Sequence, residues 1–402
     1  MKLSPVKNIA FKGYDAQPLR ALYMQNGKTK TQQMIFRELS DISKMEHFDV
    51  FVHTEDGLKT DVSNLNDTKK GDYNYWSQDN KLFIQKNGVD TVIYPKLFRD
   101  SQNLEAIKLA KEENMPTKES ELILEGGNMF LGKKPDGKNY LIVGEDTLET
   151  SAVYQFLKDR GVKKLNDDKL TDFLMSGHVY TSIGFDAQLI RSREYYDEQD
   201  YWKNIATKMF LEEFDVEEDD FCVISQPNYH IDLAIRPLEY PYVLVDDMEL
   251  DKENLMLLEE EFGHDAEKFT KQFKKEQRRL KNLYVSCDKT AKQLREKGFV
   301  PIFIGGGFGA CKVNFMNAIV NKRASGQLSY ITNSTECENE KYEFLQRLFE
   351  ADLREKYPKI DRFYFVKGGD YKDGNNVLMS YLKKFSGGIH CLCAERPIFE
   401  NK

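Results

Sequence analysis

The sequence predicts an α/β protein that is built from repeated small units. Short β-branched or aromatic stretches alternate with stretches whose apolar residues recur at helical spacing. The order strand, strand, helix, strand returns several times along the chain, although no clean sequence repeat accompanies it. Hairpin-type turns, Asn87-Gly88 and Asp136-Gly137, separate neighbouring strand stretches.

The strands are predicted from β propensity, since each is a short run that is rich in branched or aromatic residues. In chain order they are Asp49–His53, Lys81–Gln85, Asp90–Tyr94, Glu121–Leu124, Asn139–Val143, Phe221–Ser225, Tyr242–Val245, Val300–Ile304, Val313–Val320, Leu328–Ile331, Arg362–Val366 and Gly388–Leu392. Helices are predicted between them from apolar residues three or four apart, at Thr147–Lys158, Tyr201–Glu213 and Lys341–Lys356.

One charge-dense stretch, residues 251–297, interrupts this order. Its apolar residues follow helical spacing, and Gly263 is predicted to divide it, with Asp265 as the N-cap of a second helix. We expect a helical insertion in a single domain that spans residues 1–402. A surface helical pair is the simpler interpretation, and a lid or partner-binding element is the alternative.

Composition excludes several functional classes. The 402-residue chain carries a net charge of −8, which argues against a nucleic-acid-binding protein, since such a protein normally shows a basic face. No apolar run reaches the ~18 residues of a membrane span. The N-terminus has no apolar signal core, and we expect a cytoplasmic protein. The cysteines are scattered, as is typical of free thiols in a reducing compartment. They are Cys222, Cys287, Cys311, Cys337, Cys391 and Cys393.

Cys391 is a candidate nucleophile because it follows a glycine pair in Ser386-Gly387-Gly388-Ile389-His390-Cys391. A thiolate in a tight, polar turn can be both exposed and activated. The simpler interpretation is a buried cysteine that acts as a small hydrophobe. A zinc site of His390, Cys391 and Cys393 is disfavoured, since in a strand His390 would face away from both cysteines and no second ligand pair is evident.

Upstream polar residues could serve such a thiol. His230 and Asp232 lie two positions apart, so in a strand both would point to one face. Glu125 precedes two glycines that let the backbone bend around a ligand. Asp100 ends a strand-like run. Each has a simpler interpretation as a satisfied polar, turn or cap residue. The glycine run 305–309 is interpreted as a tight turn near an active site, since no Gly-Lys-Ser/Thr follows it to form a phosphate loop.

These motifs, taken in order, resemble the guanidino-group-modifying enzymes of the pentein fold, in particular the agmatine deiminase and peptidyl-arginine deiminase branch. The resemblance lies in the Arg-Asp at Asp100, in Glu125-Gly126-Gly127-Asn128, in His230-Ile231-Asp232 and in Gly387-Gly388-Ile389-His390-Cys391. It implies a five-bladed α/β propeller of ββαβ units around a pseudo-fivefold axis.

The resemblance also implies roles for these residues. Cys391 is expected to attack the guanidino carbon and form a thiouronium intermediate, while His230 moves protons and Glu125 supports His230. Asp100 and Asp232 are expected to bind the guanidinium through charge-assisted hydrogen bonds, and Asn128 to contact substrate. Ammonia and a ureido compound would be the products. No metal and no organic cofactor is implied.

Several alternatives stay open. An amidinotransferase would use the same cysteine and histidine and pass the intermediate to an amine. A non-catalytic binding protein would use residues 251–297 to recruit a partner. A cysteine protease or a transglutaminase-like enzyme usually has its cysteine before its histidine, the reverse of the order here. The partner is expected to be a small guanidino substrate, arginine or agmatine, or the arginine side chain of a protein. Self-association into a homo-oligomer is left open.

Overall fold

The computed structural model describes residues 15–25, 30–54, 57–60, 77, 81–86, 88–95, 100–159, 193–228, 230–267, 270–271, 273–275, 278, 286–308, 313–334, 340–368 and 388–398. Within these ranges the strands form five small sheets, and each combines an antiparallel pair with a parallel pair. A helical crossover joins the two parallel strands in every sheet. The predicted α/β architecture of repeated units is therefore confirmed.

The first three units of a sheet with its crossover helices come first in the chain. The first unit contains β1 (Leu19–Gln25), the crossover helix α1 (Lys30–Glu46), β2 (Asp49–Thr54) and β3 (Gly57–Lys59). The second contains β4 (Leu82–Lys86), β5 (Val89–Tyr94), α2 (Asp100–Glu112) and β6 (Thr117–Glu119). The third contains β7 (Met129–Lys133), β8 (Asn139–Gly144), α3 (Glu145–Asp159), α4 (Arg193–Phe214) and β9 (Val216–Ile224).

The last two sheets follow the same order. The fourth contains β10 (Ile235–Pro237), β11 (Tyr242–Asp246), α5 (Met248–Phe262), α6 (Cys287–Glu296) and β12 (Val300–Ile304). The fifth contains β13 (Ile319–Lys322), β14 (Leu328–Asn333), α7 (Glu340–Lys356) and β15 (Ile360–Val366). A short helix, α8 (Ile389–Leu392), leads into the last strand, β16 (Cys393–Pro397).

The C-terminal strand completes the first sheet. β16 pairs antiparallel with β1, from Leu19 opposite Pro397 to Met24 opposite Cys393. The first sheet thereby gains the antiparallel partner that each other sheet receives from the strand just before it. Apolar cores also join consecutive sheets, and one core contains Leu22 of the first sheet together with Ile331 of the fifth.

The elements form where local chemistry favours them. Every residue of β8 is buried, as in a strand that is covered on both faces. α3 has Glu145 and Asp146 in its first turn and Lys158 in its last, which complements the helix dipole. α6 is capped by the hydroxyl of Ser286. No helix in the described part of the chain is both long and apolar enough to cross a membrane.

The prediction of a strand at Glu121–Leu124 is wrong, since these residues lie outside the strands, and β6 ends at Glu119. Their backbone groups bond side chains instead of a ladder. The hydroxyl of Ser151 both accepts from the N–H and donates to the carbonyl of Ile123, at 3.1 Å each. Burial of three consecutive apolar residues therefore does not require a strand here.

Two further strand predictions are wrong for the same reason. Of Val313–Val320 only the last two residues belong to a strand, β13. Before them the N–H of Asn317 donates to the Asn314 side chain at 3.0 Å. Gly388–Leu392 contains the helix α8, and the strand starts only at Cys393.

Residues 251–297 form more than a surface appendage. Gly263, at φ 57°, caps the C-terminus of α5, and Asp265 lies inside the 3-10 turn Gly263–Ala266. The described residues between 267 and 278 are helical, so the predicted second helix does follow, with Asp265 in the turn directly ahead of it. Leu255 and Leu258 are buried in the same core as residues of the fifth sheet. α5 and α6 both belong to the crossover from β11 to β12.

Candidate active site

The candidate nucleophile lies in a turn that side chains from distant segments hold. Cys391 is in α8 and is only 3% exposed. The backbone N–H of Ile389 donates to Asn333 Oδ1 at 2.8 Å, and that of His390 donates to Asn317 Oδ1 at 3.0 Å. These bonds use backbone groups that a strand would need for its ladder, so the chain turns at this point.

Two glycines of the sequence motifs are required by close approach. A Cβ at Gly388 would overlap the side chains of Asn317 and Asn333, and a Cβ at Gly127 would overlap the ring of His230. Neither contact involves a positive φ, so the requirement is one of space and not of backbone freedom.

Asp232 forms hydrogen bonds with several of the other residues in the candidate site. It lies in the 3-10 turn Ile231–Leu233 and is 1% exposed. Its Oδ2 accepts from Cys391 Sγ at 3.2 Å, from His390 Nδ1 at 2.8 Å and from Asn317 Nδ2 at 2.8 Å. Asn317 Nδ2 also donates to Cys391 Sγ at 3.2 Å.

The charge on Asp232 is favoured by its neighbours. Burial by itself would raise the pKa of this carboxyl, but the hydrogen bond and charge of His390, with the charge of His230, hold the pKa below its ordinary value. The second oxygen, Oδ1, is buried and accepts no hydrogen bond from the described residues. An ionised oxygen without a donor at this depth is expected to have an external cationic partner.

His230 and Glu125 form the other part of the candidate site. His230 has extended backbone just ahead of the 3-10 turn that contains Asp232, so the two side chains are brought together by a turn and not by alternation along a strand. His230 Nε2 lies 3.3 Å from Glu125 Oε2, and both side chains are largely buried. Glu125 directly precedes the 3-10 turn Gly126–Asn128, and its carboxylate lies beside the Nε2 nitrogen of His230.

Asn128 joins these two turns. Its Nδ2 donates to Glu125 Oε2 at 3.3 Å, while its Oδ1 accepts from the N–H of Ile231 and from Gln226 Nε2, both at 3.1 Å. The side chain is 1% exposed and both of its ends bond protein groups. This geometry favours a positioning role for Asn128 over the substrate contact expected from the sequence.

His230, Asp232 and Cys391 converge, with one nitrogen, oxygen or sulfur atom of each within 4.8 Å of the others. Such closeness by itself would also suit a metal ion. However, Asp232 Oδ2 already accepts three donors. Donors that point at Oδ2 would oppose a metal ion beside that oxygen, so a cation would have to approach through Oδ1, which has no donor among the described residues.

Asp100 is the first residue of α2, not the end of a strand. Residues 96–99 and the side chain of Asp100 lie outside the described part of the molecule. Its contact with a guanidinium therefore stays a prediction.

Solved structures that superpose on this chain include agmatine deiminases. No protein-family model and no curated protein matches the sequence. The agmatine deiminase of C. jejuni superposes with a TM-score of 0.51 at 14% identity, over 100% of both chains. The agmatine deiminase of Enterococcus faecalis superposes with a TM-score of 0.51 at 13% identity, over 97% of this chain and 96% of that one.

The chain has the pentein fold. The prediction from the sequence motifs is confirmed at this level. At these identities the likeness establishes the fold, and a specific reaction has to be argued from the site.

The pentein site contains residues that sequence reasoning missed or misjudged. Asn317 and Asn333 hold the Cys391 turn, yet neither was singled out. His390 was considered only as a zinc ligand, although it directly precedes the cysteine. Asp146 lies near Glu125 in the first turn of α3. Its burial, with the charges of Glu125, Glu145 and Glu149, raises the pKa of Asp146 to about 7.

The glycine run after β12 is connected to the site by backbone hydrogen bonds. The N–H groups of Gly306 and Gly307 donate to Asp246 Oδ1 at 3.2 and 2.7 Å. They are therefore satisfied by a protein carboxylate and do not form a phosphate cradle. The carbonyl of Gly306 accepts from the N–H of Phe315, which links this turn to the segment that carries Asn317.

Proposed function

We propose that the protein is a guanidine deiminase that hydrolyses the guanidino group of arginine or an arginine-type compound. The observation that carries the proposal is the convergence of the Cys391 thiol, the His230 imidazole and the buried, ionised Asp232, within a fold that is known from agmatine deiminases. Each group has a matching task in attack on a planar cation.

Substrate binding is the first step. A guanidinium presents N–H donors in one plane, and Asp232 Oδ1 is a buried acceptor with no donor among the described residues. Asp100 is proposed as the second carboxylate. Binding a cation here compensates buried negative charge and brings the guanidino carbon toward Cys391 Sγ.

Covalent chemistry follows. The Cys391 thiolate attacks the guanidino carbon and forms a C–S bond. His230 then gives a proton to one amino group, which leaves as ammonia when its C–N bond breaks. The thiouronium carbon remains bound to sulfur. Glu125, 3.3 Å from His230 Nε2, stabilises the imidazolium and orients the ring.

Hydrolysis restores the enzyme. His230, now neutral, takes a proton from a water molecule that attacks the thiouronium carbon. The resulting adduct expels the Cys391 thiolate, and the carbon keeps the water oxygen as the carbonyl of a ureido product. In total, one guanidinium and one water give one ureido compound and one ammonium ion.

The test is incubation of the purified protein with arginine, agmatine and an arginine-containing peptide, with ammonia and ureido product measured separately. Equal amounts of both products that depend on Cys391 would support hydrolysis. Amidino transfer to an added amine without ammonia would favour an amidinotransferase. Absence of turnover and of thiol labelling by a halogenated amidine would contradict the proposal.

We further propose that the five sheets surround a pseudo-fivefold axis, as in a propeller. The pairing of β16 with β1 and the core shared by the first and fifth sheets support this closure. An experimental structure in which these two sheets are separated would contradict it.

A further inference from the structure

The ring of His390 lies between two buried carboxylates. Nδ1 is 2.8 Å from Asp232 Oδ2, and Nε2 is 3.3 Å from Glu395 Oε1. The side chain of His390 is fully buried, and those of its two partners are 0% and 2% exposed. Both ring nitrogens thus face oxygens that accept and do not donate when ionised.

A neutral imidazole fits this arrangement poorly. It carries one N–H and one lone pair, so one of its nitrogens would direct a lone pair at a carboxylate in a place that water does not reach. The imidazolium has two donors and satisfies both oxygens. A buried cation without partners is costly, but this one has an anion on each side.

Arg236 opposes the alternative in which Glu395 is protonated. Arg236 Nη2 lies 3.3 Å from Glu395 Oε1, and the arginine side chain is completely buried. Burial would raise the pKa of Glu395, but Arg236 and His390 together hold it below its ordinary value. Arg236, Glu395, His390 and Asp232 therefore form a row of alternating charges that sums to zero.

An aromatic ring accompanies both cations of this row. Phe130, from β7, stacks on His390 with 5.8 Å between ring centroids and lies 5.6 Å from the Arg236 guanidinium carbon. The negative face of a phenyl ring favours cations at such distances. The ionisable groups next to His390 are Asp232 and Glu395 at its two nitrogens. Cys391 and His230 interact with Asp232, and Tyr140 and Tyr330 interact with Arg236 at the other end of the row.

We propose that His390 is a permanent imidazolium, a positioning residue that keeps Asp232 ionised and permits Cys391 to become a thiolate before substrate binds. Cys391 Sγ is 3.2 Å from Asp232 Oδ2, and two anions this close repel each other strongly. The His390 cation offsets the charge of Asp232, so the thiol proton can leave. The consequence for turnover depends on the deiminase proposed above, whereas the charge state does not.

The experiment measures the thiol and needs no substrate. Iodoacetamide alkylation of Cys391 is followed across pH by mass spectrometry in wild type and in His390→Gln, which keeps a donor but not the charge. We expect the alkylation rate at neutral pH to fall about tenfold for each unit by which the thiol pKa rises, and the rise to exceed one unit. Cys391→Ala gives the background from other thiols. His264→Gln, at an exposed site, is the matched control.

If His390→Gln does not fold, a second measurement still tests the proposal. 15N NMR of the histidine-labelled wild type reads protonation of the ring directly, and the His390 signal is assigned through its shift in Glu395→Gln. We expect both ring nitrogens to give the signals of a protonated imidazole at pH 7, since each faces a carboxylate. An unchanged alkylation profile in folded His390→Gln, or a neutral His390 at pH 7, overturns the proposal. Either result stands whether or not the protein proves to be a deiminase.

Discussion

The two histidines beside Asp232 differ in the carboxylates that the described residues place at their ring nitrogens. His230 has Glu125 at 3.3 Å from Nε2, with 9% of its side chain exposed, whereas His390 has a carboxylate at each nitrogen and is fully buried. An imidazole held by one carboxylate can lose and regain a proton on its other nitrogen. One that is fixed between two carboxylates cannot do so without leaving a lone pair against an anion. We infer that the His230 side of the site moves protons during turnover, whereas the His390 side supplies a constant positive charge.

The largest expected effect is on the Cys391 sulfur, which both histidines are proposed to assist. Cys391→Ala should reduce turnover by well over ~10³-fold, because no covalent intermediate can form. Cys393→Ala is the matched control and should have a mild effect, since Cys393 lies in β16, where burial raises the pKa of its thiol. Product formation in a coupled ammonia assay measures both. Labelling of Cys393 by a halogenated amidine while Cys391 is spared would reverse the assignment.

The proton-transfer side is expected to come next. His230→Gln should lower kcat by roughly 10²–10⁴-fold and remove the limb of the pH–rate profile that reports this base. Glu125→Gln should lower kcat less, because the ring remains but loses its anion. The comparison fails if His230→Gln retains a wild-type pH profile, since His390 or another group would then be the base.

Substitution of Asp232, the carboxylate near both histidines, tests the His230 side and the His390 side together. Asp232→Asn should cost about 2–5 kcal/mol in kcat/KM, because it removes a buried partner of the bound cation and of His390. We expect both kcat and KM to worsen, and the same for Asp100→Asn. Asp265→Asn, at an exposed carboxylate, is the control. If Asp232→Asn changed KM alone, Asp232 would bind the substrate without influencing the chemistry at Cys391.

A smaller effect concerns stability on the His230 side. The pKa of Asp146 is raised from 3.8 to about 7, first by burial and then by three acidic neighbours. Between these values the folded chain binds a proton that the unfolded chain has released, so this group's contribution to stability falls as pH rises from about 4 to 7. Asp146→Asn should flatten that slope in urea unfolding at several pH values. An unchanged slope would mean that Asp146 titrates normally.

The smallest effect on turnover is expected in a segment that carries none of the candidate site residues. Replacing Glu259–Lys281 with a short linker removes the buried Ala266 and Phe273 but leaves Leu255 and Leu258 in the core, so a less stable protein should still turn over a small guanidine. Complete loss of turnover in a folded, trimmed protein would assign this segment to the site. Loss confined to an arginine-containing protein would identify it as a recognition element.

The sequence by itself determined the order of units and most members of the site. Predicted strands such as Tyr242–Val245 and Val300–Ile304 lie within β11 and β12, and Lys341–Lys356 within α7, because periodicity and propensity are local properties of the chain. Glu125, His230, Asp232 and Cys391 were all chosen from motifs and do meet in space.

Only the tertiary structure decided how the chain passes through the site. The Cys391 turn looks like a strand in sequence, but Asn317 and Asn333, more than fifty residues away, bind the backbone around it and make it a helix. The charge row joins Arg236 of β10 to Glu395 of β16, which is 159 residues further along the chain. Such long-range bonds between side chains and backbone, or between buried charges, leave no local periodicity, and so they appear only when the sheets are assembled.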